Sequence, residues 1–120
     1  MKYLVELAEI TIDARVLAVG DDVEVPLRKI LGGVHIPPKR SVFADDSFDS
    51  VVIGNLLDST QLKEANRILK NGGKLAVKFS AKQLYSENIR DLVSNAKFTS
   101  IVMKTKTKAR VKTVYLVGIK

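Results

Sequence analysis

Short runs of β-branched and other apolar residues alternate along this chain with longer stretches in which apolar residues recur every three or four positions. The short runs predict strands, of which the first two are expected to be buried. They are residues 15–20, 50–53, 74–79, 98–103 and 111–119. The longer stretches predict helices, each with one apolar face. Their apolar positions are Val23, Leu27, Ile30 and Leu31, then Leu62, Ala65, Ile68 and Leu69, then Tyr85, Ile89, Leu92, Val93 and Ala96.

The order of these elements predicts the fold class. Strand and helix alternate three times, and two further strands follow across a basic turn. Such alternation is typical of an α/β protein, in which helices cover both faces of a mostly parallel sheet. The last two strands predict an antiparallel hairpin at the C-terminal edge. We therefore expect a three-layer α/β fold and a single domain spanning residues 1–120.

Helix ends carry recognisable signals. Asp21 and Asp22 are predicted to cap the first helix, with Pro26 in its first turn. Asn71, followed by two glycines, is predicted to end the second helix. Pairs with capping-box spacing open the later helices. These pairs are Asp58 with Gln61, and Ser80 with Gln83.

Two segments have weaker patterns. Residues 34–36 and 41–43 each have the length of a very short strand, and residues 45–47 predict a turn. Residues 1–12 are compatible with an added strand or with a short helix. Both alternatives stay open for that segment.

Composition narrows the chemistry that is available. The 120 residues include no cysteine and one histidine, His35. This excludes disulfides, thiolate metal sites, a cysteine nucleophile and a multi-histidine metal centre. No apolar run reaches membrane-spanning length, and the first residues do not resemble a secretory signal. We therefore expect no metal site, no membrane contact and a cytoplasmic location.

Charge is distributed unevenly between the two halves of the chain. Residues 1–60 contain six basic and ten acidic residues, whereas residues 61–120 contain fourteen basic and three acidic residues. The formal net charge of the whole chain is +7. A strongly basic half favours contact with nucleic acid or an acidic protein partner. The alternative is a lysine-rich solvated surface.

Near the C-terminus, basic residues alternate strictly with other residues. The candidate contact residues are Lys97, Lys104, Lys106, Lys108, Arg110 and Lys112. Because residues two apart in a strand share a face, the last five are predicted to line one side of the hairpin, or its tip if the chain turns within residues 106–109. They fit a sequence-neutral contact with phosphates. They also fit a solvated edge strand whose lysines prevent aggregation, and the nearby Phe98 and Tyr115 are predicted to be core residues rather than stacking platforms.

Two motifs in the middle of the chain resemble those of class I S-adenosylmethionine-dependent methyltransferases. Residues 47–49 read Ser-Phe-Asp, and residues 67–73 read Arg-Ile-Leu-Lys-Asn-Gly-Gly. In that family an Asp/Asn-Ser-Phe-Asp turn leads into the fourth strand, and a helix ending in Arg-x-Leu-Lys-Pro-Gly-Gly leads into the fifth. The resemblance covers about residues 15–119 and implies a Rossmann-like methyltransferase fold. It also implies that Phe48 fills the core, Asp49 fixes the strand entry and the glycine pair forms the turn into the third strand.

The family's cofactor-binding residues are poorly matched. After its first strand the family has Glu/Asp-x-Gly-x-Gly-x-Gly, whose glycines let the backbone approach the cofactor. Here Ala18 replaces the acid, only Gly20 remains of the glycines, and Asp22 and Glu24 occupy the other glycine positions. With Asp21 they place three carboxylates where the cofactor's own carboxylate would bind. The resemblance therefore implies a degenerate site with no bound cofactor.

The middle of the chain is also shorter than the family pattern. From Asp21 to Asp49 there are 29 residues, although one strand–helix–strand unit alone takes about 30. The acid that holds the ribose hydroxyls is missing near His35, and Pro38 stands near the position of the Asp that faces adenine. A sheet shortened in its second and third strands would expose an apolar edge. Such an edge predicts a homodimer that covers it.

Three functional hypotheses follow. The first is a non-catalytic methyltransferase-like binding or scaffolding module whose basic half contacts nucleic acid or an acidic protein. It is similar in kind to the N-terminal domain of the anamorsin family, which combines the same motifs with a degenerate cofactor loop, although a chain without cysteine gains no iron–sulfur role from this. The second is a minimal S-adenosylmethionine-dependent methyltransferase with Gly20, Asp21 and Asn55 at the cofactor site and no assigned catalytic residue. The third is an oligomeric structural protein.

Overall fold

A computed structural model describes residues 2–31, 43–54, 59–80 and 89–120 of the chain. The helices are α1 (Lys2–Leu7), α2 (Asp21–Leu31), α3 (Ser59–Ile68) and α4 (Ile89–Asn95). The strands are β1 (Val16–Val19), β2 (Phe48–Gly54), β3 (Leu69–Ser80), β4 (Thr99–Lys108) and β5 (Val111–Ile119).

The five strands form one sheet in the order β1-β2-β3-β5-β4. Strands β1, β2 and β3 are parallel neighbours, while β5 runs antiparallel to both β3 and β4. The predicted parallel sheet with a C-terminal antiparallel hairpin is therefore confirmed. Among the described residues β1 and β4 lie at the two ends of the order, and β1 is on the side where the sheet was predicted to be shortened. The strand predicted at residues 34–36 lies outside the described residues, and Phe43 is not in a strand.

Two apolar clusters lie on opposite faces of the sheet. Helices α1 and α2 cover one face, where Leu4 and Leu27 are fully buried. Helices α3 and α4 cover the other face, where Leu62 and Val93 are fully buried. Because successive strand residues point to opposite faces, β1, β2, β3 and β5 contribute to both clusters. This arrangement confirms the expected three layers, and it resolves the N-terminal segment as a helix.

Pro26 does not lie where it was predicted. Helix α2 begins at Asp21, so Pro26 is its sixth residue and lies within the second turn. Proline has no N–H to donate to the carbonyl four residues earlier, so α2 lacks one hydrogen bond of its ladder. The burial of Val23 and Leu27 on either side of Pro26 compensates for this loss.

The second predicted helix ends earlier than its sequence signal. Helix α3 ends at Ile68, and Leu69 already belongs to β3 because it pairs with Phe48 of β2. The Asn-Gly-Gly segment is therefore part of a long strand rather than the end of a helix. The segment still turns the chain, since Gly72 has a φ of +81°. Its N–H donates to the carbonyl of Lys120 at 3.1 Å.

The two motifs that carry the resemblance contact each other. The N–H groups of Asp46 and Ser47 donate to the carbonyls of Arg67 and Ile68 at 3.1 and 2.7 Å. The turn predicted at residues 45–47 is thus confirmed, and it satisfies carbonyls at the C-terminal end of α3 that have no partner within the helix. The guanidinium of Arg67 also pairs with Asp45. Each motif stabilises the other, which gives a structural reason for their occurring together.

Asp49 fixes the entry to β2, as the resemblance implies. Its Oδ2 accepts a hydrogen bond from the backbone N–H of Arg15 at 2.8 Å, and its Oδ1 lies 3.3 Å from Lys70 Nζ. The Arg15 hydrogen bond holds the pKa of Asp49 below its ordinary value of 3.8, with a further contribution from Lys70 and against the opposing effect of burial. The carboxylate therefore ties the beginnings of β1, β2 and β3 together.

Substitution of Asp49 by Asn tests whether the charge of this carboxylate contributes to the stability of the fold. The folded-state pKa is depressed, so the ionised form contributes stability above the ordinary pKa and loses it as the pH falls through the folded value. We expect Asp49→Asn to lower the free energy of unfolding by about 0.5–1 kcal/mol at neutral pH, a modest figure because the carboxylate is partly exposed. Urea unfolding at neutral pH and below about pH 3 should show the difference closing at the acidic end. A difference that persists unchanged in acid would contradict a role for the charge.

Candidate nucleic-acid interface and cofactor corner

Gly20 lies at the corner where the family binds its cofactor. It follows β1 directly, has a φ of +108°, and its carbonyl accepts hydrogen bonds from Val23 and Glu24 at 3.2 and 3.0 Å. Gly20 therefore occupies the N-cap position of α2. The prediction that Asp21 and Asp22 cap the helix is wrong, because both already lie within its first turn.

One of the three carboxylates at this corner is neutralised within the helix. Glu24 Oε1 lies 2.8 Å from Arg28 Nε, one turn further along α2. Acidic residues in the first turn of a helix are also stabilised by its macrodipole. The third residue assigned to the cofactor site, Asn55, lies outside the described residues, and β2 ends just before it at Gly54.

A pocket of about 350 Å³ lies at the opposite edge of the sheet. Its walls are formed by residues 9–14 and by the beginnings of β2 and β3, with Asp49, Lys70 and Lys74 among the lining residues. Parallel sheets of this type bind ligands at the carboxyl ends of their strands, whereas this pocket lies at the amino ends. It is therefore separate from the corner at Gly20.

Residues 104–112, which we name the basic hairpin, include five candidate contact residues. The chain turns at Ala109 and Arg110, so that Lys108 pairs with Val111 and Thr107 pairs with Lys112. Paired residues share a face of the sheet. Lys104, Lys106 and Lys108 therefore lie on the α1 face, Lys112 lies on the α4 face, and Arg110 lies in the turn. The prediction that all five cations line one side is wrong.

The basic hairpin extends past the described carboxyl ends of the parallel strands. The last residue of β3, Ser80, pairs with Thr113, and residues 107–112 lie beyond that pair. With about 3.3 Å per strand residue, the projecting part is roughly 8–10 Å long. It lies at the same edge of the sheet as Gly20.

The cations of the basic hairpin have no acidic partners among the described residues, where all five are exposed. At the opposite edge, by contrast, three cations form ion pairs, whereas Lys74 and Lys97 have none among the described residues. Arg67 pairs with Asp45, Lys70 with Asp49, and Lys120 with Asp46. Positive charge that is available to a partner is therefore concentrated at the projecting end of the molecule.

Lys97 lies far from the tip of the basic hairpin. It follows α4 with a φ of +70°, and its carbonyl lies 3.4 Å from Asn66 Nδ2. From Thr99 to Lys108, β4 runs ten residues, or about 30 Å, between the two sites. A partner that contacts the tip of the hairpin does not reach Lys97 unless it extends along the whole strand.

An aromatic pair that the sequence analysis did not identify lies beside the basic hairpin. Tyr3 of α1 packs edge-on against Tyr115 of β5, with ring centroids 5.0 Å apart, and Lys106 Nζ lies 3.6 Å from the centroid of Tyr3. Both tyrosines are half-buried, whereas Phe98 is fully in the core as predicted. The contact positions Lys106 by a cation–π interaction. Since Tyr3 is distant in sequence, only the placement of α1 reveals it.

The two residues at the turn of the hairpin are of types that disfavour the backbone conformation they adopt there. Ala109 and Arg110 have φ values of 51° and 64°, the arrangement of a type I′ turn, for which Asn-Gly is strongly preferred. We expect replacement of both residues by Asn-Gly to raise the free energy of unfolding by about 1 kcal/mol and the melting temperature by about 4 °C. Calorimetric melting checks this. An unchanged or lower melting temperature would show that the turn is not strained.

Comparisons with known proteins agree on the fold. No protein-family model matches the sequence, and no curated protein matches it. Among solved structures, a methyltransferase from Thermotoga maritima is similar with a TM-score of 0.67 and 20% identity, over 98% of this chain and 87% of that one. A methyltransferase from Archaeoglobus fulgidus is similar with a TM-score of 0.73 and 10% identity, over 99% of this chain and 92% of that one. Phosphoethanolamine N-methyltransferase 2 of Haemonchus contortus was solved with S-adenosylhomocysteine. It is similar with a TM-score of 0.73 and 12% identity, over 98% of this chain and 51% of that one.

The chain thus has the fold of class I S-adenosylmethionine-dependent methyltransferases. Identities of this size establish the fold alone, because one fold hosts many functions. Within the described residues, no group of three His, Asp or Glu side chains is placed to hold a metal ion. None of the described helices has the length and apolar character needed to cross a bilayer.

Proposed function

We propose that this chain is a non-catalytic methyltransferase-like binding module and that its basic hairpin contacts nucleic acid. The observation that carries the proposal is the set of five exposed cations without acidic partners among the described residues, on a hairpin that extends past the sheet. A cluster of this kind binds phosphates with release of condensed counterions. The interaction is sequence-neutral and weakens as salt is added.

The exposed threonines support the same partner. Thr105 and Thr107 alternate with the lysines along β4 and lie on the α4 face. Hydroxyl groups of threonine donate hydrogen bonds to phosphate oxygens, and such contacts position a protein on nucleic acid without reading its sequence. The hairpin therefore combines long flexible cations with short hydrogen-bond donors.

Protection of an edge strand is the competing explanation. Strand β4 lies at the end of the sheet order, and lysines on such a strand prevent edge-to-edge pairing. A purely protective role predicts that removing lysines promotes aggregation and leaves binding to nucleic acid unaffected. The two explanations therefore differ in what a charge substitution changes.

Fluorescence anisotropy with labelled DNA at about 50 mM salt distinguishes them. We expect micromolar binding by the wild-type chain and a loss of affinity of about tenfold for Lys104→Gln/Lys108→Gln. The matched control is Lys29→Gln/Lys63→Gln, which removes the same charge from exposed positions on α2 and α3 and should change the affinity by less than about twofold. Equal losses in both variants, or no binding at all, would refute a specific role for the hairpin. An acidic protein would then become the partner to seek.

The non-catalytic part of the proposal rests on the corner at Gly20. A single glycine remains there, and positions that the family keeps as glycine are Asp22 and Glu24, at the beginning of α2. Side chains at those positions restrict the close approach of backbone to ligand that glycine permits. The negative charge that Asp22 adds further opposes the binding of the cofactor's carboxylate, whereas that of Glu24 is neutralised by Arg28.

A minimal methyltransferase is the second candidate function. Gly20 keeps a left-handed φ and stands at the beginning of α2, at the carboxyl edge of the sheet, where N–H groups attract anions. Asp21 and Asn55 are the other residues that we assign to this site. Titration calorimetry with S-adenosylmethionine and S-adenosylhomocysteine tests it. A Kd in the micromolar range, about −8 kcal/mol, would support the enzyme, whereas no detectable heat and no thermal shift support the binding module.

A further inference from the structure

We propose that the partner of the basic hairpin is double-stranded DNA and that the hairpin enters a groove of the duplex. This inference rests on the proposed function and goes further, because it names the form of the nucleic acid and the way it is contacted. Two antiparallel strands make a ribbon, and the major groove of B-form DNA, about 12 Å wide, admits such a ribbon.

The distribution of cations over the two faces is the first argument. Within the projecting segment, Lys108 lies on the α1 face and Lys112 lies on the α4 face, while Lys104 and Lys106 lie on the α1 face outside that segment. A flat single strand of nucleic acid contacts one face of a ribbon. A groove has a phosphate backbone on each side, so a ribbon inserted between them meets phosphates with both faces. The presence of Lys112 on the face opposite Lys108 therefore matches a groove.

The dimensions of the projecting segment are the second argument. The part of the hairpin beyond Ser80 and Thr113 is about 8–10 Å long. The major groove is about 8.5 Å deep. Two strands lie about 4.8 Å apart, and a sheet with its side chains is about 10 Å thick. The segment therefore fits the groove in depth and in width, and the rest of the sheet stays outside.

The turn is the third argument. Arg110 holds a left-handed backbone at the tip, although Gly in its place would relieve the strain. Non-glycine residues in such conformations are concentrated at functional sites. A residue at the tip of an inserted ribbon lies nearest to the floor of the groove, where every base pair presents acceptor atoms to which an arginine can donate hydrogen bonds. The strained position thus carries the side chain best suited to that surface.

Duplex RNA is excluded by the same geometry. The major groove of A-form RNA is deep and narrow, and side chains do not read it. A single strand lacks the second phosphate wall. We therefore expect the order duplex DNA, then single-stranded DNA and duplex RNA, in falling affinity.

The test measures the fluorescence anisotropy of one labelled sequence as duplex DNA, single-stranded DNA and duplex RNA, with the wild-type chain and three variants. One of these is Lys104→Gln/Lys108→Gln, described above. Lys112→Gln removes the cation of the α4 face, and Lys63→Gln is its charge-matched control on α3. We expect duplex DNA to bind at least about fivefold more tightly than the other two forms. Lys112→Gln should weaken duplex binding by about threefold or more and lower the salt slope by about 1, while Lys63→Gln leaves both unchanged. Circular dichroism confirms that each variant is folded.

The outcomes separate this inference from the proposed function. If single-stranded DNA or duplex RNA binds as tightly as duplex DNA, or if Lys112→Gln has no effect while Lys104→Gln/Lys108→Gln still weakens binding, the groove is refuted and the phosphate contact stands. If Lys104→Gln/Lys108→Gln also has no effect, both proposals fail.

Discussion

Substitution of Phe48 by Ala is expected to lower the free energy of unfolding by about 3–5 kcal/mol. Phe48 is fully buried at the entry of β2. Its ring meets that of Phe43 edge-on at 4.9 Å and has the Arg15 guanidinium 4.6 Å from its centroid. Truncation leaves a cavity between the turn of residues 45–47, β3 and α3, which cannot collapse around it. Since domains of this size have about 5–15 kcal/mol of stability, the variant should melt about 15 °C lower.

Phe48→Leu is the matched control because it keeps most of the apolar volume. We expect it to cost about 1–1.5 kcal/mol. Urea unfolding of the three chains gives the ranking. A loss below about 1 kcal/mol for Phe48→Ala would mean that the site repacks, and that the Ser-Phe-Asp motif does not anchor the core in this chain.

Substitution of Gly73 by Ala should cost about 3 kcal/mol, because a methyl group does not fit there. A Cβ at Gly73 would lie 2.7 Å from the carbonyl oxygen of Lys70, 3.2 Å from that of Asp49 and 3.0 Å from a methyl of Leu69. Two of these atoms are backbone oxygens, one within β3 itself and one in β2, so relief requires the backbone around residues 70–73 to shift and β2 to move away.

The neighbouring Gly72 provides a control, because a side chain there meets backbone strain but no close contact. A Cβ at Gly72 meets nothing within 4 Å, but the residue has a φ of +81°. Gly72→Ala therefore meets only backbone strain and should cost about 1 kcal/mol. Thermal melts of the two variants should differ by about 8 °C. If Gly72→Ala is the more damaging, the close approach of β2 to residue 73 is not what fixes this position.

The three layers and the mainly parallel sheet with its C-terminal hairpin were predictable because they depend on local patterns. Buried strands such as residues 50–53 and helix faces such as that containing Leu62 and Ala65 bury apolar surface in only one arrangement. The end of α3 was not predictable in this way. Its position at Ile68 depends on the pairing of Leu69 with Phe48, which lies 21 residues earlier in the sequence.

The arrangement of the hairpin cations was not predictable from alternation alone. Alternation places Lys104 to Lys112 on one face only if the strand continues without a turn. A two-residue turn at Ala109 and Arg110 moves Lys112 to the opposite face. The sequence contains no Asn-Gly or Asp-Gly pair there that would have located the turn.

The motifs used for recognition identify the fold because of their structural roles. Asp46 and Ser47 satisfy carbonyls at the end of α3, and Asp49 fixes the beginning of β1. None of these contacts involves the corner at Gly20. The cofactor loop can therefore change while both motifs and the fold are kept. For this reason the motifs identify the family's fold specifically but say little about its activity.

The salt dependence of DNA binding tests the central claim most directly. If the basic hairpin is the functional surface, the affinity of the wild-type chain for duplex DNA falls as salt rises, with a slope of about −4 for log K against log[salt], since each of four or five cations contributes about −0.9. The slope of Lys104→Gln/Lys108→Gln should be shallower by about 2. A wild-type slope near zero, or one that the substitutions leave unchanged, would contradict the claim.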